Sequence, residues 1–297
     1  MSTHLFANIV TPFGTAANNR GETDGNITTL QKLVWHGTTH TTVSAEAIRF
    51  ALRQLLEDTN RTWDEDTRTN VWQDHEFSGW KKPGAATHID DDLLGFMTAT
   101  AAKEENTKGS ANVRRSPLEI TRAVSLTPWS GEVTFNAAAP GATPSAAKKG
   151  SNPVPYGAEI HATRYQFGLA LTPDRLRDAS RAAIALRALV ALRKVAGNHG
   201  RFLFDFAPDS IVLRITDDPA PRLLYCFETQ DGGKTVSAAE LVRKVKAGDI
   251  LPTELILGGP ISEDPAIKEL GIPAGQLLPG VRAAADVAIA QLPAATP

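Results

Sequence analysis

The sequence contains a single cysteine, Cys226, among its 297 residues. One cysteine cannot form an intramolecular disulfide, and it argues against a zinc site built from several thiolates. The N-terminus also lacks the charged and then apolar pattern of a signal peptide. No run of apolar residues approaches the length of about 18 that a membrane helix needs. We therefore expect a cytoplasmic protein that makes no membrane contact.

An excess of charge of either sign is missing as well. Lys and Arg number 31 against 33 Asp and Glu, which leaves a formal net charge of -2. So weak a field argues against binding nucleic acid through overall charge, but it is compatible with a local basic groove. The hydrophobic fraction of 42% over 297 residues is enough for a sizeable core.

The motifs of several enzyme classes are absent. There is no G-x-S-x-G, no G-x-x-x-x-G-K-S/T and no G-x-G-x-x-G. His36 and His40 are four residues apart, but no acid follows His36, and the glycine between them disfavours a helix. Three acids at 90–92 could bind magnesium for a nuclease, yet consecutive side chains do not all point one way. Acids in front of Leu93 and Leu94 instead favour the first turn of a helix.

Periodicity and turn residues predict a mixed α+β fold. Ser44 is a plausible N-cap for a helix that runs to about Asp58. Strands are predicted at 5–13, 118–126, 158–171, 202–206 and 211–215, and further helices at 172–196, 237–248 and 281–292. The helix at 237 is expected to start with a capping box of Ser237 and Glu240. The order of elements is that of the ferredoxin-like fold, which RNA-recognition domains also use.

Two segments depart from this pattern. Residues 57–92 hold ten acids against four bases, with Trp63, Trp72 and Trp80 at intervals. We interpret them as a surface insertion whose tryptophans pack against the protein rather than stack on bases. Residues 136–155 are rich in Pro, Gly, Ala and Ser, which predicts a loop that is mobile or ordered by a partner.

Polar and basic residues stand beside glycine in two loops. Asn18, Asn19 and Arg20 precede Gly21, and the segment GNHGR occupies 197–201. Glycine lets the backbone approach a phosphate, and arginine adds charge and bidentate geometry. The same residues are common in ordinary turns, so either interpretation stays open for each loop. Arg49 and Arg53 are four apart and share one side of the helix predicted after Ser44.

Taken in order, five short segments resemble one protein family. They are NNR (18–20), TLQK (29–32), VSAEAIRFALR (43–53), DDLLGFM (91–97) and RSPL (115–118). Their order and spacing are similar to those of the DevR-like CRISPR-associated autoregulators. These RAMP-superfamily proteins form the crRNA-binding backbone of type I (I-B-like) Cascade complexes. The resemblance spans about residues 5 to 215, which is most of the chain.

The resemblance implies a modified RNA-recognition (ferredoxin-like) palm built from residues 1–56 and 117–230. Residues 57–116 would form a finger or web insertion with helical and irregular structure. The flexible loop at 136–155 would be the thumb. Residues 231–297 carry none of the family segments, and we expect them to form a C-terminal helical extension.

The resemblance also implies a function without catalysis, metal or cofactor. Copies of the chain would polymerise head to tail along crRNA and present the guide for pairing with target DNA in antiviral defence. The implied partners are crRNA, target DNA, other copies of the chain, and other Cascade subunits such as the large subunit and the crRNA-processing subunit. The implied RNA-binding residues are Asn18, Asn19, Arg20, Lys32, Ser44, Arg49, Arg53, Arg114, Arg115, Asn198 and Arg201.

Two other functions remain open from the sequence. The acidic insertion could serve a metal-dependent RNase through Asp64, Asp66 or the acids at 90–92. A DNA-binding autoregulator of its own operon is the second alternative, although no helix-turn-helix pattern supports it.

Overall fold

The computed structural model describes residues 2–17, 23–58, 85–97, 113–141, 147, 154–193, 195 and 204–292 of the chain. These residues form a mixed α+β fold, and none of their helices is long and apolar enough to cross a membrane. The strands are β1 (His4–Val10), β2 (Gly14–Ala17), β3 (Thr23–Asp24), β4 (Ile27–Thr28), β5 (Lys32–Trp35), β6 (Thr38–Val43), β7 (Phe96–Met97), β8 (Val113–Arg114), β9 (Leu118–Ile120), β10 (Ala123–Ser125), β11 (Val133–Ala138), β12 (Val154–Thr163), β13 (Tyr165–Leu171), β14 (Ser210–Thr216), β15 (Leu255–Gly258) and β16 (Leu277–Leu278). The α-helices are α1 (Ala45–Asp58), α2 (Ile89–Leu94), α3 (Arg181–Val190), α4 (Ala239–Lys246), α5 (Pro265–Lys268) and α6 (Val281–Gln291).

The largest sheet among the described residues has nine strands. Its spatial order is β16-β15-β14-β1-β13-β10-β6-β5, and β9 pairs with β13. Strand β1 is central, because Leu5 is paired with Leu171 of β13 on one side and with Ile215 of β14 on the other. The pairs are antiparallel except for β15 and β16. In chain order, α1 lies between β1 and β10, and α3 lies between β13 and β14.

Helix α1 forms where the sequence predicts it. The hydroxyl of Ser44 accepts a hydrogen bond from the amide of Ala47 at 3.2 Å, which confirms the N-cap. Ile48, Leu52 and Leu56 recur every four residues and are fully buried. This stripe turns the helix toward the sheet, because side chains four apart share one helical face.

The two faces of the sheet are covered differently. On one face, Ile9, Phe167 and Leu213 belong to a core that includes α1, α3 and α6. On the other face, Phe6 packs with Phe227 and other residues of the C-terminal region. The C-terminal region also supplies β15 and β16 to the sheet. The described part of the predicted helical extension at 231–297 is therefore only partly helical. Residues between 238 and 272 contribute to the layer on the second face, whereas α6 packs in the core of the first face.

A smaller sheet is built around the hairpin of β11 and β12. Its order is β11-β12-β4-β3, and β2 also pairs with β12. The predicted loop at 136–155 is wrong at both ends, because Asn136 pairs with Tyr156 and Ala138 pairs with Val154. The hydrogen-bond ladder between β11 and β12 continues through these small residues, because it joins backbone groups and does not require their side chains to form a core.

The helix predicted at 172–196 is wrong over its first turns. The chain forms a 3-10 turn at Pro173–Arg175, and α3 begins only at Arg181. Between the two pieces, two backbone amides donate hydrogen bonds to the carboxylate of Asp92. A buried carboxylate needs donors, and here it takes them from a segment that would otherwise continue a helix.

Three predicted strands also differ from the structure. The one predicted at 158–171 is divided at Arg164 into β12 and β13. The strand at 118–126 is split into β9 and β10, and the backbone of Thr121 between them bonds Gly168 at 2.9 Å. At 202–206, the described residues 204–206 belong to no strand. The rings of Phe204 and Phe206 instead pack on Tyr165, with ring centroids 5.4 and 5.8 Å apart. Their apolar character reflects core packing rather than a place in the sheet.

The capping box predicted for Ser237 and Glu240 does not form. Helix α4 begins at Ala239, and no side chain of its N-cap residue bonds the first turn. The amide of Ala239 donates instead to the carboxylate of Glu228 at 3.2 Å. The predicted last helix is confirmed as α6, which ends at Gln291.

Candidate nucleic-acid interface

The three acids at 90–92 lie in the first turn of α2, as the helix interpretation predicts, and all three are fully buried. Asp90 accepts a hydrogen bond from Arg53 at 3.0 Å. Asp92 bonds Arg114 and Arg181. Neighbouring carboxylates therefore point to different arginines. In the part of the chain that the structure describes, no group of three or more His, Cys, Asp or Glu side chains could hold a metal ion.

The C-terminal end of α2 is bound by α1. Arg49 donates to the carbonyl of Leu94, and Arg53 donates to the carbonyl of Gly95 at 3.2 Å. This confirms that Arg49 and Arg53 share one side of α1. Burial, with a smaller effect from the nearby charge of Arg53, lowers the pKa of Arg49. Both guanidinium groups are thus structural donors to α2, whatever else they contact.

Gly95 is the point at which the chain leaves α2. Its φ of 68° lies in the left-handed region, and a Cβ atom there would stand 2.3 Å from the carbonyl oxygen of Arg114. Only glycine allows so close an approach. This close approach lets β7, which follows α2 immediately, pair with β8, and Phe96 lies opposite Arg114. The backbone of Arg115 also lies beside Gly95.

Asp92 joins α2 to a second segment. Its carboxylate accepts hydrogen bonds from the amide of Arg177 at 3.0 Å and from the amide of Asp178 at 3.3 Å. On the other side, Arg114 of β8 donates to Asp92 and to the carbonyl of Arg175. These bonds hold the chain around 173–178 against β8.

The two segments enclose an open groove of about 740 Å³, which we call the arginine groove. Arg115, Arg175 and Arg177 are exposed at its walls, and Arg114 is half-buried there. No acidic side chain is among the described residues that line it. Its lining is Ala85, Ala86, Phe96, Val113, Arg114, Arg115, Ser116, Pro117, Arg175 and Arg177.

Such a groove can bind a polyanion. Guanidinium groups match phosphate oxygens in bidentate geometry, and they stay charged at any physiological pH. The three exposed ones in this concave surface raise the local positive potential, whereas the charge of Arg114 is offset by Asp92. They do so although the chain as a whole carries a net charge of -2. The apolar ring of Phe96 adds a surface on which a base or sugar can pack.

Sequence reasoning did not select Arg175 and Arg177 as binding residues. A continuous helix would separate side chains two residues apart by about 200° around its axis. The 3-10 turn and the extended residue that follows it bring both to the same groove. The excess of basic residues in this segment was the signal that could have indicated a binding surface. The backbone conformation that places their side chains in the groove, however, depends on the bonds to Asp92.

The other predicted RNA-binding residues lie elsewhere. Ser44 caps α1 and is half-buried. The ammonium group of Lys32 bonds Glu159 of β12 at 2.5 Å and lies 4.3 Å from the ring of Trp129. Arg49, Arg53, Arg114 and Arg115 are thus gathered around the end of α2, whereas Lys32 binds the hairpin sheet. The predicted contacts Asn18, Asn19, Arg20, Asn198 and Arg201 lie outside the described residues, as do Asp64 and Asp66.

The fold is similar to that of known CRISPR structures. One chain titled "CRISPR RNA-guided surveillance complex" superimposes with a TM-score of 0.58 and 18% identity, covering 97% of this chain and 98% of that one. A second, titled "CRISPR RNA-guided surveillance complex, pre-nicking", gives a TM-score of 0.61 at 14% identity, covering 97% and 99%. At these identities the likeness concerns the fold.

Sequence comparison identifies the family. The profile described as "CRISPR-associated negative auto-regulator DevR/Csa2" matches residues 12–180. A protein of Myxococcus xanthus (strain DK1622), named "CRISPR-associated protein Cas7/Cst2/DevR", is 60% identical over 297 residues, and the match covers 98% of each chain. These matches confirm the family that the five short segments predicted. The chain belongs to the DevR/Csa2 family of Cas7-type CRISPR-associated proteins.

Proposed function

We propose that this chain is a non-catalytic backbone subunit of a type I CRISPR effector complex. Copies of it would pack head to tail along crRNA and present the guide for pairing with target DNA in antiviral defence. The arginine groove carries this proposal. Three exposed arginines from two distant segments, Arg115, Arg175 and Arg177, meet there beside the paired Arg114, and no acid is among the described lining residues, although the whole chain is slightly acidic.

A groove of this kind suits the sugar-phosphate backbone of RNA. Arginines bind phosphates of any sequence, so one protein surface can hold many different guides. Reading of the target is then left to base pairing, as in other RNA-guided complexes. Because phosphate contacts release counterions, binding is expected to weaken steeply as salt rises.

The order of the elements supports a hand-like arrangement. Strands β14, β1, β13 and β10 are neighbours, and α1 and α3 connect them in the order β-α-β-β-α-β of a ferredoxin-like fold. We propose that residues 1–56 and 117–230 form the RNA-recognition palm, that 57–116 form fingers and web, and that the loop after β11 is the thumb. The arginine groove then lies where web and palm meet, since it includes both Phe96 and Arg175.

The assembly also requires partners of other kinds. The remaining Cascade subunits, among them the large subunit and the crRNA-processing subunit, would cap or line a filament of such copies. A head-to-tail contact is heterologous, so each copy offers two different surfaces to its neighbours. The carboxylates of Asp90 and Asp92 in α2 are held by arginines, and we therefore assign these two a structural role rather than that of an RNase site.

The decisive experiment is purification with and without a co-expressed CRISPR array. We expect large particles with a high A260/A280 ratio when the array is present, and sequencing of their RNA should return guide sequences. The particles should shrink as salt is raised. An RNA-free monomer in the presence of the array would overturn the proposal. Magnesium-dependent cleavage of a complementary RNA by the purified particle would overturn its non-catalytic part.

A further inference from the structure

A second groove, of about 600 Å³, lies at the other face of the large sheet. Gln166 of β13 lines it, whereas the next residue, Phe167, points into the core beneath α1 and α3. The groove runs between the turn that joins β5 to β6 and the segment before α4. Its functional side chains are Trp35, His36, Tyr225, Glu228 and Glu240. We call it the aromatic-acidic groove.

Three rings form one wall of this groove. The ring centroid of Trp35 is 5.0 Å from that of Tyr225 and 5.1 Å from that of His36. His36 and Tyr225 both have left-handed backbones, with φ of 48° and 55°. For a bulky residue such as Tyr225 this conformation is strained, and it persists only where neighbouring contacts impose it.

Several contacts impose it on Tyr225. Its amide donates to the side chain of Asn8 at 3.0 Å, and its hydroxyl donates to the carbonyl of Arg122 at 2.8 Å. The side chain of Gln166 bonds both the amide and the carbonyl of Phe227, and Asn8 and Gln166 bond each other at 3.1 Å. The ring is therefore held in place before any ligand arrives, as a preformed site requires.

The charge of the groove is opposite to that of the arginine groove. Its described lining contains two carboxylates, Glu228 and Glu240, and no Lys or Arg. Glu240 already bonds Arg243 on its own helix. For Glu228, Oε1 accepts the amide of Ala239, while Oε2 has no hydrogen-bond partner in the described part of the chain. A carboxylate oxygen is thus available in the same groove as three aromatic rings, which meet edge-on or tilted rather than stacked.

The aromatic rings and the carboxylate together indicate which kind of ligand the groove can bind. The described lining offers a phosphate no cationic side chain, and the carboxylate of Glu228 would repel it, so nucleic-acid backbones are disfavoured. A guanidinium group can lie flat against Trp35 or Tyr225 and bond a carboxylate at the same time. A lysine ammonium group could pair with the carboxylate, but it has no planar group that could pack against the rings.

We propose that the aromatic-acidic groove binds an arginine side chain presented by a partner polypeptide. Glu228 accepts from the guanidinium, and the ring of Trp35 packs against its face. This inference stands independently of the RNA-binding proposal, because it uses the other face of the sheet and different residues. It gives the chain one surface for polyanions and another for a basic protein segment.

The test follows the indole N–H signal of Trp35 by NMR in the full-length chain. The signal is assigned by its loss in Trp35→Phe. The probe is the peptide acetyl-Gly-Arg-Gly-amide, and acetyl-Gly-Gln-Gly-amide is the neutral comparison. We expect the arginine peptide to shift the signal saturably and the glutamine peptide to leave it in place. Glu228→Gln keeps an oxygen for the amide of Ala239 and should weaken binding at least about fivefold.

The matched control is Glu263→Gln, which removes an exposed carboxylate that pairs with Lys268 at a distance from the groove. It should leave the titration unchanged. No saturable shift with the arginine peptide, or an equal shift with the glutamine peptide, would overturn the proposal. So would a shift by adenosine monophosphate that survives Glu228→Gln, because the groove would then be a nucleotide site. RNA binding by Glu228→Gln should equal that of the unmodified chain, which separates this outcome from a failure of the proposed function.

Discussion

Asp92 and Arg181 form an ion pair of 3.0 Å between two side chains that are almost completely buried. The same carboxylate binds Arg114 of β8 and two backbone amides at 177 and 178. It is therefore the shared acceptor for three parts of the chain: α3, β8 and the turn before α3. A buried charge is stable only when paired, so these three parts are fixed together, and one wall of the arginine groove is fixed with them.

Removing this acceptor should destabilise the protein strongly. We expect Asp92→Ala to lower the free energy of unfolding by about 3–5 kcal/mol, because it breaks the buried ion pair with Arg181. Urea denaturation followed by circular dichroism measures the change. The control is Asp286→Ala, whose carboxylate is exposed and 3.9 Å from Arg187, and it should cost less than about 1 kcal/mol. Equal effects of the two substitutions would contradict the role of Asp92.

The arginine groove predicts a change in the salt dependence of RNA binding. Each phosphate contact to single-stranded RNA contributes about 0.7 to the slope of log affinity against log salt. Replacing both Arg175 and Arg177 with glutamine should lower that slope by up to about 1.4. Fluorescence anisotropy with a labelled single-stranded RNA at several salt concentrations measures it.

Arg282→Gln serves as the control for the groove, because Arg282 is exposed on α6 and is not part of the lining. It should leave the slope as it is. If the double substitution and the control give the same slope, the groove does not bind the RNA backbone.

The pairing of Lys32 with Glu159 makes a specific prediction about RNA affinity. Any phosphate that binds Lys32 has to compete with a carboxylate that also accepts the amide of Leu30 at 2.7 Å. Glu159→Gln keeps an acceptor for that amide and removes the competing charge. We expect it to raise RNA affinity by about two- to fivefold, in line with the modest strength of a partly exposed ion pair.

Lys32→Met should have the opposite effect on RNA affinity, and we expect it to weaken RNA binding. Glu269→Gln removes an exposed carboxylate of the C-terminal region and is the control for Glu159→Gln. If Lys32→Met alters stability but not RNA affinity, Lys32 is an anchor for β12, and its predicted RNA contact is wrong.

His161 makes stability depend on pH. Its ring nitrogens bond the hydroxyls of Thr41 at 2.7 Å and Thr127 at 3.2 Å, and burial lowers the pKa of the ring to about 4. Below its ordinary pKa of about 6.5, the unfolded chain binds a proton that the native chain does not. The stability due to neutral His161 is therefore intact above about pH 6.5 and lost as pH falls toward 4, by at most about 1.4 kcal/mol per pH unit.

Denaturation curves between pH 7 and 4.5 test this dependence. We expect His161→Gln to lose less stability over that interval than the unmodified chain does. His36→Gln, which alters an exposed ring, should follow the unmodified chain. Parallel curves for the unmodified chain and His161→Gln would show that His161 is not the source of the pH dependence.

Much of the architecture follows from local sequence. Ser44 and the apolar residues that recur every four positions after it predict α1 nearly to its last residue. The β-branched run at 211–215 predicts β14, and the alanine-rich segment after Gly280 predicts α6. These elements depend on periodicity and end signals within a few residues. The five short family segments in turn predict the family, because their order along the chain is visible without any structure.

The arginine groove, by contrast, depends on tertiary contacts. Composition gives the segment after Thr172 the appearance of one long helix. A single carboxylate from a region about 85 residues earlier breaks it, since Asp92 takes the backbone amides that the helix would use. Hence Arg175 and Arg177 join Arg114 and Arg115 in a groove that no local pattern indicates.

The sequence by itself determines the mixed α+β class, the main helices and strands, and the family. Tertiary structure decides which charges are free to bind a ligand and which are used internally. Lys32, Arg49 and Arg53 look alike in sequence, yet each is bound by a carboxylate or a carbonyl from elsewhere in the chain. The physical reason is that a buried or half-buried charge takes whatever acceptor the fold brings to it, and that acceptor is distant in sequence.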